Sequence, residues 1–157
     1  MTFARRAVLA AIALPGGAHA AGEPVLEVAG AVASPAPHRL ARSAVEALGQ
    51  KNLVTITTWT RGPQHFAGVP LERLLGAVGA RGRVLRAVAL NDYAVTMPLR
   101  EALDAEPFVA TRQDGNPMPV RSRGPFWIVF PWSCRPDLDT ARVRQWSVWQ
   151  LARIEAG

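Results

Sequence analysis

Cysteine is almost missing. Cys134 is the only one in 157 residues, so no internal disulfide can form. Lysine is as scarce: Lys51 stands alone among 18 basic residues, and the net charge of +6 is carried almost wholly by arginine. Arginine grips phosphate or carboxylate through a planar fork. Here the arginines are scattered rather than gathered on one helix, which argues against a nucleic-acid binder. A GC-rich genome is the plainer account of many arginines beside one lysine, and the preferred one. His38 and His65 are far apart and fall in loop-like stretches, so the clustered donors of a zinc site are lacking. Repeats and low-complexity tracts are absent. The glycines from Gly76 to Gly82 do not form the strand-to-helix turn of a phosphate loop or dinucleotide fingerprint.

Long apolar runs are absent too. The longest candidate, Ala7–Leu14, is far too short to span a bilayer. It follows Arg5 and Arg6 and ends at Pro15-Gly16-Gly17, before the A-x-A triplet Ala18-His19-Ala20. This is the pattern of a secretory signal peptide cut after Ala20, with an uncleaved membrane anchor as the alternative. The arginine pair hints at twin-arginine export, but the flanking Ser and Phe-Leu of that signal are missing, so the general secretory route is expected. Loss of Arg5 and Arg6 with the leader lowers the charge from +6 to +4 and leaves 137 residues. That is enough for one domain, residues 21–157, with a real core. A leader and no disulfide suggest the bacterial periplasm.

What is present centres on Leu53–Leu75, LVTITTWTRGPQHFAGVPLERLL. The β-branched run to Trp59 predicts a strand, with Val54, Ile56 and Thr58 on one face and Thr55, Thr57 and Trp59 on the other. Thr60–His65, holding Gly62 and Pro63, predicts a loop without regular pairing. Pro70 predicts a helix start, since its fixed φ suits the first turn. A tryptophan and Arg61 are thereby set at a strand end beside an open loop.

Elsewhere the pattern predicts strands over Val25–Val32, Val84–Leu90 and Ala94–Met97, Phe108–Arg112, Phe126–Phe130 and Gln145–Ile154. Helices are expected over Arg39–Leu48, Pro70–Val78 and Leu99–Ala105, with Gly49 and Gly79 as stops. Asp114–Pro117 reads as a hairpin turn, and Pro136–Arg144 as a loop or short helix. The fold class is α+β: a single mixed-sheet domain with short helices and long loops.

Chemistry-bearing residues gather at strand ends. Thr58, Trp59 and Arg61 close the central strand, and Asn91, Asp92 and Tyr93 interrupt another. Arg112 ends a third, Arg121 and Arg123 sit in a loop, and Trp127 and Trp132 flank the last buried strand. Singly these have plainer readings: Trp127 as core, Arg121 as a solvated charge. Together they suit a pocket for a planar heterocycle, with rings stacking on its face and Asn, Asp and backbone groups reading its edge. The expectation is that Trp59 and Trp127 share a cavity rimmed by Asn91, Asp92 and Tyr93. Cys134, beside Arg135 in Trp132-Ser133-Cys134-Arg135, has no histidine near it and reads as an incidental thiol.

Five segments in order, TTWT at Thr57–Thr60, FAGVPLERLL at Phe66–Leu75, ALNDYAVTMP at Ala89–Pro98, Ala110–Pro131 and SVWQLARIE at Ser147–Glu155, resemble the small periplasmic relatives of the sulfite-oxidase molybdopterin-binding domain. The resemblance implies that fold and a molybdenum-pterin cofactor held by a cysteine thiolate after the strand matching Val54–Thr58. Thr57, Thr58 and Trp59 stand there instead, and a threonine hydroxyl does not replace a thiolate on a soft metal. In the segment Gly124–Pro131, Trp127 occupies the position where the enzymes carry a cofactor-holding Arg. Cys134 falls in a different loop. These departures resemble the pterin-binding regulator proteins of the PruR type. The likeness implies a periplasmic, non-enzymatic pterin binder that reports to a membrane signalling partner, a cyclic di-GMP enzyme or sensor kinase. A molybdopterin-dependent oxidoreductase or its subunit is the alternative.

Overall fold

The computed structural model describes residues 22–33 and 37–157. The expected signal peptide lies outside them. No described helix is long and apolar enough to cross a membrane.

The fold is α+β, with two sheets and short helices. In chain order the elements are β1 (Val25–Gly30), β2 (His38–Ala41), α1 (Arg42–Ala47), β3 (Lys51–Ile56), β4 (Pro63–Pro70) and α2 (Leu71–Ala77). There follow β5 (Val84–Ala89), β6 (Ala94–Pro98), α3 (Leu99–Asp104), β7 (Phe108–Gln113), β8 (Asn116–Pro117), β9 (Trp127–Val129), α4 (Ala141–Trp146) and β10 (Leu151–Ala156). One sheet runs β2-β1-β10-β5-β6, with β1 and β10 parallel; the other runs β3-β4-β7-β8, with β9 also pairing β7.

Burial follows the period of each element. Leu26 and Val28 alternate inward on β1, and Leu71, Leu74 and Leu75 recur at helical spacing on α2. They join Val109, Phe126, Ile128, Phe130 and Trp146 in the main core. A second cluster under the β3–β4–β7 sheet holds Phe66, Phe108, Ala110, Met118, Trp127 and Val129. Trp59 packs on both clusters.

Four expectations need correction. Pro63, Gln64 and His65 are not loop: they pair with Ile56, Thr55 and Val54 as the start of β4. The Ile56 N–H points away from β4, to Ser133 Oγ at 2.9 Å. Ile56 and Pro63 therefore form a pair that exchanges no hydrogen bond, and the missing proline N–H is not needed. His38 likewise lies in a strand, and the first helix starts at Arg42 rather than Arg39. Gln145–Ile154 is not one strand. Thr140 caps α4 by accepting from Val143 N, and Val143 and Trp146 are buried at helical spacing. Gln150 takes φ +50° just before β10 begins. Here tertiary burial of Trp146 overrides the β-rich local composition.

Along β3 and into the turn that follows it, the hydroxyl-bearing face is the inner one. Thr55 and Thr57 are buried, while Val54 and Ile56 are 45% and 50% exposed. The reason is local pairing: Thr55 Oγ1 accepts from Ser133 N at 3.1 Å, and Thr57 Oγ1 accepts from Trp59 N at 3.2 Å and shares a 2.7 Å bond with Thr60 Oγ1. A buried hydroxyl with its partners supplied costs little.

Candidate functional site: a tryptophan-walled cleft

Three chain segments meet at a cleft of about 360 Å³. The turn after β3 contributes Trp59. The end of β5 contributes Ala89, and the β5–β6 connection contributes Asn91 and Tyr93. The end of α4 and the turn into β10 contribute Arg144, Gln145, Ser147, Val148 and Trp149. Its wall is mostly apolar, with a few polar groups at the edges, the usual make-up of a small-molecule site.

Trp59 is the hub. Its ring centre lies 5.2 Å from that of Trp149, 6.0 Å from Trp132 and 6.1 Å from Trp127, each edge to face. The main chain of Trp59 is pinned at both ends. Its N–H donates to Thr57 Oγ1, and its carbonyl accepts from Arg123 Nη2 at 2.6 Å. The opposite lip is shaped by an Asx turn, in which Tyr93 N donates to Asn91 Oδ1 at 3.2 Å. Tyr93 Oη reaches across to the carbonyl of Gln145 at 3.3 Å. Arg144 is the one charged residue in the lining, and Asp139 holds its Nε at 2.8 Å.

The expected site residues divide. Trp59, Asn91 and Tyr93 line the cleft. Asp92 does not; it occupies the left-handed φ of +64° that turns the loop. Trp127 is fully buried. Its Nε1–H donates to Ser147 Oγ, which donates on to the Ile128 carbonyl, at 3.0 and 2.7 Å. A ring with no free face cannot stack on a ligand, so Trp127 supports Trp59 rather than sharing the cavity with it. Arg123 is also a support, tying Trp59 and lying 5.5 Å over the Trp127 ring. Thr58 and Trp132 belong to a neighbouring cleft. Arg61 and Arg121 are exposed and form no ion pair among the described residues.

Arg112 is elsewhere. It makes a two-pronged ion pair with Glu46 of α1, at 2.8 and 3.2 Å. Burial of Glu46 works to raise its pKa. Hydrogen bonds from Arg112 and Thr111, with the charges of Arg112 and Arg42, outweigh that and hold the carboxyl below the usual range. This pair locks α1 to the second sheet; it is not part of the cleft.

The model of the oxidoreductase molybdopterin-binding domain family matches residues 37–135. The chain belongs to this family. No curated protein matches it. The family match ends at Arg135, so the α4–β10 segment that brings Arg144, Ser147 and Trp149 into the cleft lies beyond it.

The family's cofactor joins a pterin to molybdenum, and the residues here fit the two halves unequally. Rings at Trp59, Trp149 and Tyr93 with the edge groups of Asn91 and Gln145 suit a flat heterocycle. The metal half finds no donors. Thr57 Oγ1 is committed to Thr60 and Trp59 N. Cys134 opens instead onto a groove with Lys51, Leu103 and Arg135. Among the described residues no three His, Cys, Asp or Glu side chains cluster as a metal site.

Sequence reasoning missed Trp149, Ser147, Arg144 and Gln145. Read as strand, Ser147 and Trp149 shared one face of the sheet. The helical spacing of Val143 and Trp146 was the available signal that the chain turns there instead.

Proposed function

We propose that this chain is a periplasmic pterin-binding protein that carries out no redox chemistry itself and reports the bound pterin to a membrane signalling partner, a cyclic di-GMP enzyme or a sensor kinase. The observation that carries the reading is the pairing of an aromatic, edge-polar cleft with hydroxyls where a molybdenum-binding thiolate would be needed. The A-x-A pattern ending at Ala20 supports export. The cleft mouth supports reporting: Tyr93, 48% exposed, both lines the cleft and forms part of the outer surface. A ligand that reorders Tyr93 changes a surface that a partner can read.

Family membership favours a second reading, a molybdopterin-dependent oxidoreductase or its subunit. Protein purified from its native host separates the two. Mass spectrometry of the co-purified small molecule is expected to give a metal-free pterin, with molybdenum far below one atom per chain. Stoichiometric molybdenum with a dithiolene pterin would replace the first reading by the second.

A further inference from the structure

We infer that Asp139 makes the site selective for a heterocycle bearing a neutral, hydroxylated tail and against the same heterocycle bearing a phosphate. This rests on the pterin reading above and names the ligand class within it. A second cleft, about 310 Å³, has Thr57, Thr58, Trp132, Ser133 and Asp139 in its lining. The two clefts share a wall. Arg144 faces the first, Asp139 faces the second, and a 2.8 Å ion pair joins them. Trp59 of the first cleft follows directly on Thr57 and Thr58 of the second, and its ring lies 6.0 Å from that of Trp132. We set the ring against Trp59 in the first cleft and carry its substituent across this wall into the second.

The groups waiting there are uncharged or negative. Ser133 Oγ accepts from Ile56 N and keeps its own proton to donate. The Thr58 hydroxyl has no protein partner among the described residues. Asp139 uses Oδ1 on Arg144 and leaves Oδ2 as a free acceptor. Donors and acceptors of this kind match a chain of hydroxyls. A phosphate would meet a carboxylate, with no guanidinium or ammonium in the lining to offset it. Asp139 also withdraws the cation that lines the first cleft: its carboxylate and carbonyl engage Arg144 Nε and Nη2 at 2.8 and 3.4 Å. One residue thus supplies the repulsion and occupies the group that would otherwise bind phosphate.

The test is a tryptophan-quenching titration of the full chain with three probes: 6-methyl-7,8-dihydropterin, 7,8-dihydroneopterin and dihydroneopterin phosphate. The wild type is expected to bind dihydroneopterin at least threefold tighter than the methyl compound and about tenfold tighter than the phosphate, one decade being about 1.4 kcal/mol. Asp139→Asn should erase or reverse the second ratio by freeing Arg144, a gain that a merely unfolded variant cannot produce. Thr58→Val should shrink the first ratio and leave the methyl compound unchanged. Equal binding of the first two probes, wild-type preference for phosphate, or an Asp139→Asn variant that still rejects phosphate would overturn the inference while the pterin reading stood. Failure of all three to bind would overturn both.

Discussion

Arg123 Nη2 donates to the main-chain carbonyl of Trp59 at 2.6 Å, across a sequence separation of 64 residues. Arg123 itself sits at φ +73°, and its own carbonyl accepts from Gln150 N at 2.8 Å. A single residue in a left-handed conformation thereby joins the Trp59 turn, the Pro119–Gly124 loop and the approach to β10.

Arg123→Ala should therefore loosen the cleft without emptying a core. A hydrogen bond from a charged donor contributes about 1.5–3 kcal/mol, and an exposed cation–π contact about 0.5–1 kcal/mol. With partial solvent access, the expected loss is about 1–2 kcal/mol in urea unfolding. The near-ultraviolet circular dichroism of the tryptophan cluster should weaken in the folded variant. An unchanged spectrum would show that Arg123 does not hold Trp59.

Cys134→Ser should leave stability and pterin affinity unaltered. The thiol is exposed and faces a groove separate from the cleft. Parallel thermal melts and titrations check this, and loss of bound metal in the variant would restore the enzyme reading.

The sequence showed most of the architecture because burial there follows simple periods. Leu26 and Val28 on β1, and Leu71, Leu74 and Leu75 on α2, declare their elements without help from the rest of the chain. It misled where partners are remote. Nothing near Pro63 reveals that Ser133 will take the Ile56 N–H and leave the Pro63 position free to pair. The site was half legible for the same reason. Trp59, Asn91 and Tyr93 sit at breaks that composition marks. Trp127 carries no local sign that Phe66 will lie 5.4 Å from its ring and Ser147 will take its Nε1–H. Arg112 read as a ligand-facing cation because its partner, Glu46, is 66 residues away.

That partnership sets a pH dependence. The Glu46 carboxyl is held below the usual range, so its contribution is fully present above the unfolded value and is lost as pH falls through the lowered folded value. Glu46→Gln should cost roughly 1 kcal/mol at neutral pH, discounted for partial exposure. The gap between wild type and variant should close as pH falls through the ordinary carboxylate range, where the unfolded carboxyl takes up its proton, and on through the lowered folded value. Urea midpoints measured from pH 7 to 3 test it; a gap that widens on acidification would refute the assignment.

Two tryptophans 6.1 Å apart should separate binding from stability. Trp127 is fully buried with its N–H satisfied by Ser147. Trp127→Ala opens a core cavity and removes the donor to that hydroxyl, at a cost of about 3–5 kcal/mol. Trp59 is half-buried and faces the cleft, so Trp59→Ala should cost less stability but remove a stacking face worth about 0.5–1.5 kcal/mol beyond the area it covers. With that area lost as well, pterin affinity should fall more than tenfold, since about 1.4 kcal/mol is one decade. Asp92→Asn should change affinity little, because Asp92 turns the loop rather than lining the cleft. Raising the salt concentration should also change affinity little, because Arg144, the only charge in the lining, is already held by Asp139. Quenching titrations of a reduced pterin at low and high salt, beside urea melts of each variant, measure all of these. Steep salt dependence, or binding indifferent to Trp59, would mean that the ligand is held by charge and that the cleft recognises a different class of molecule.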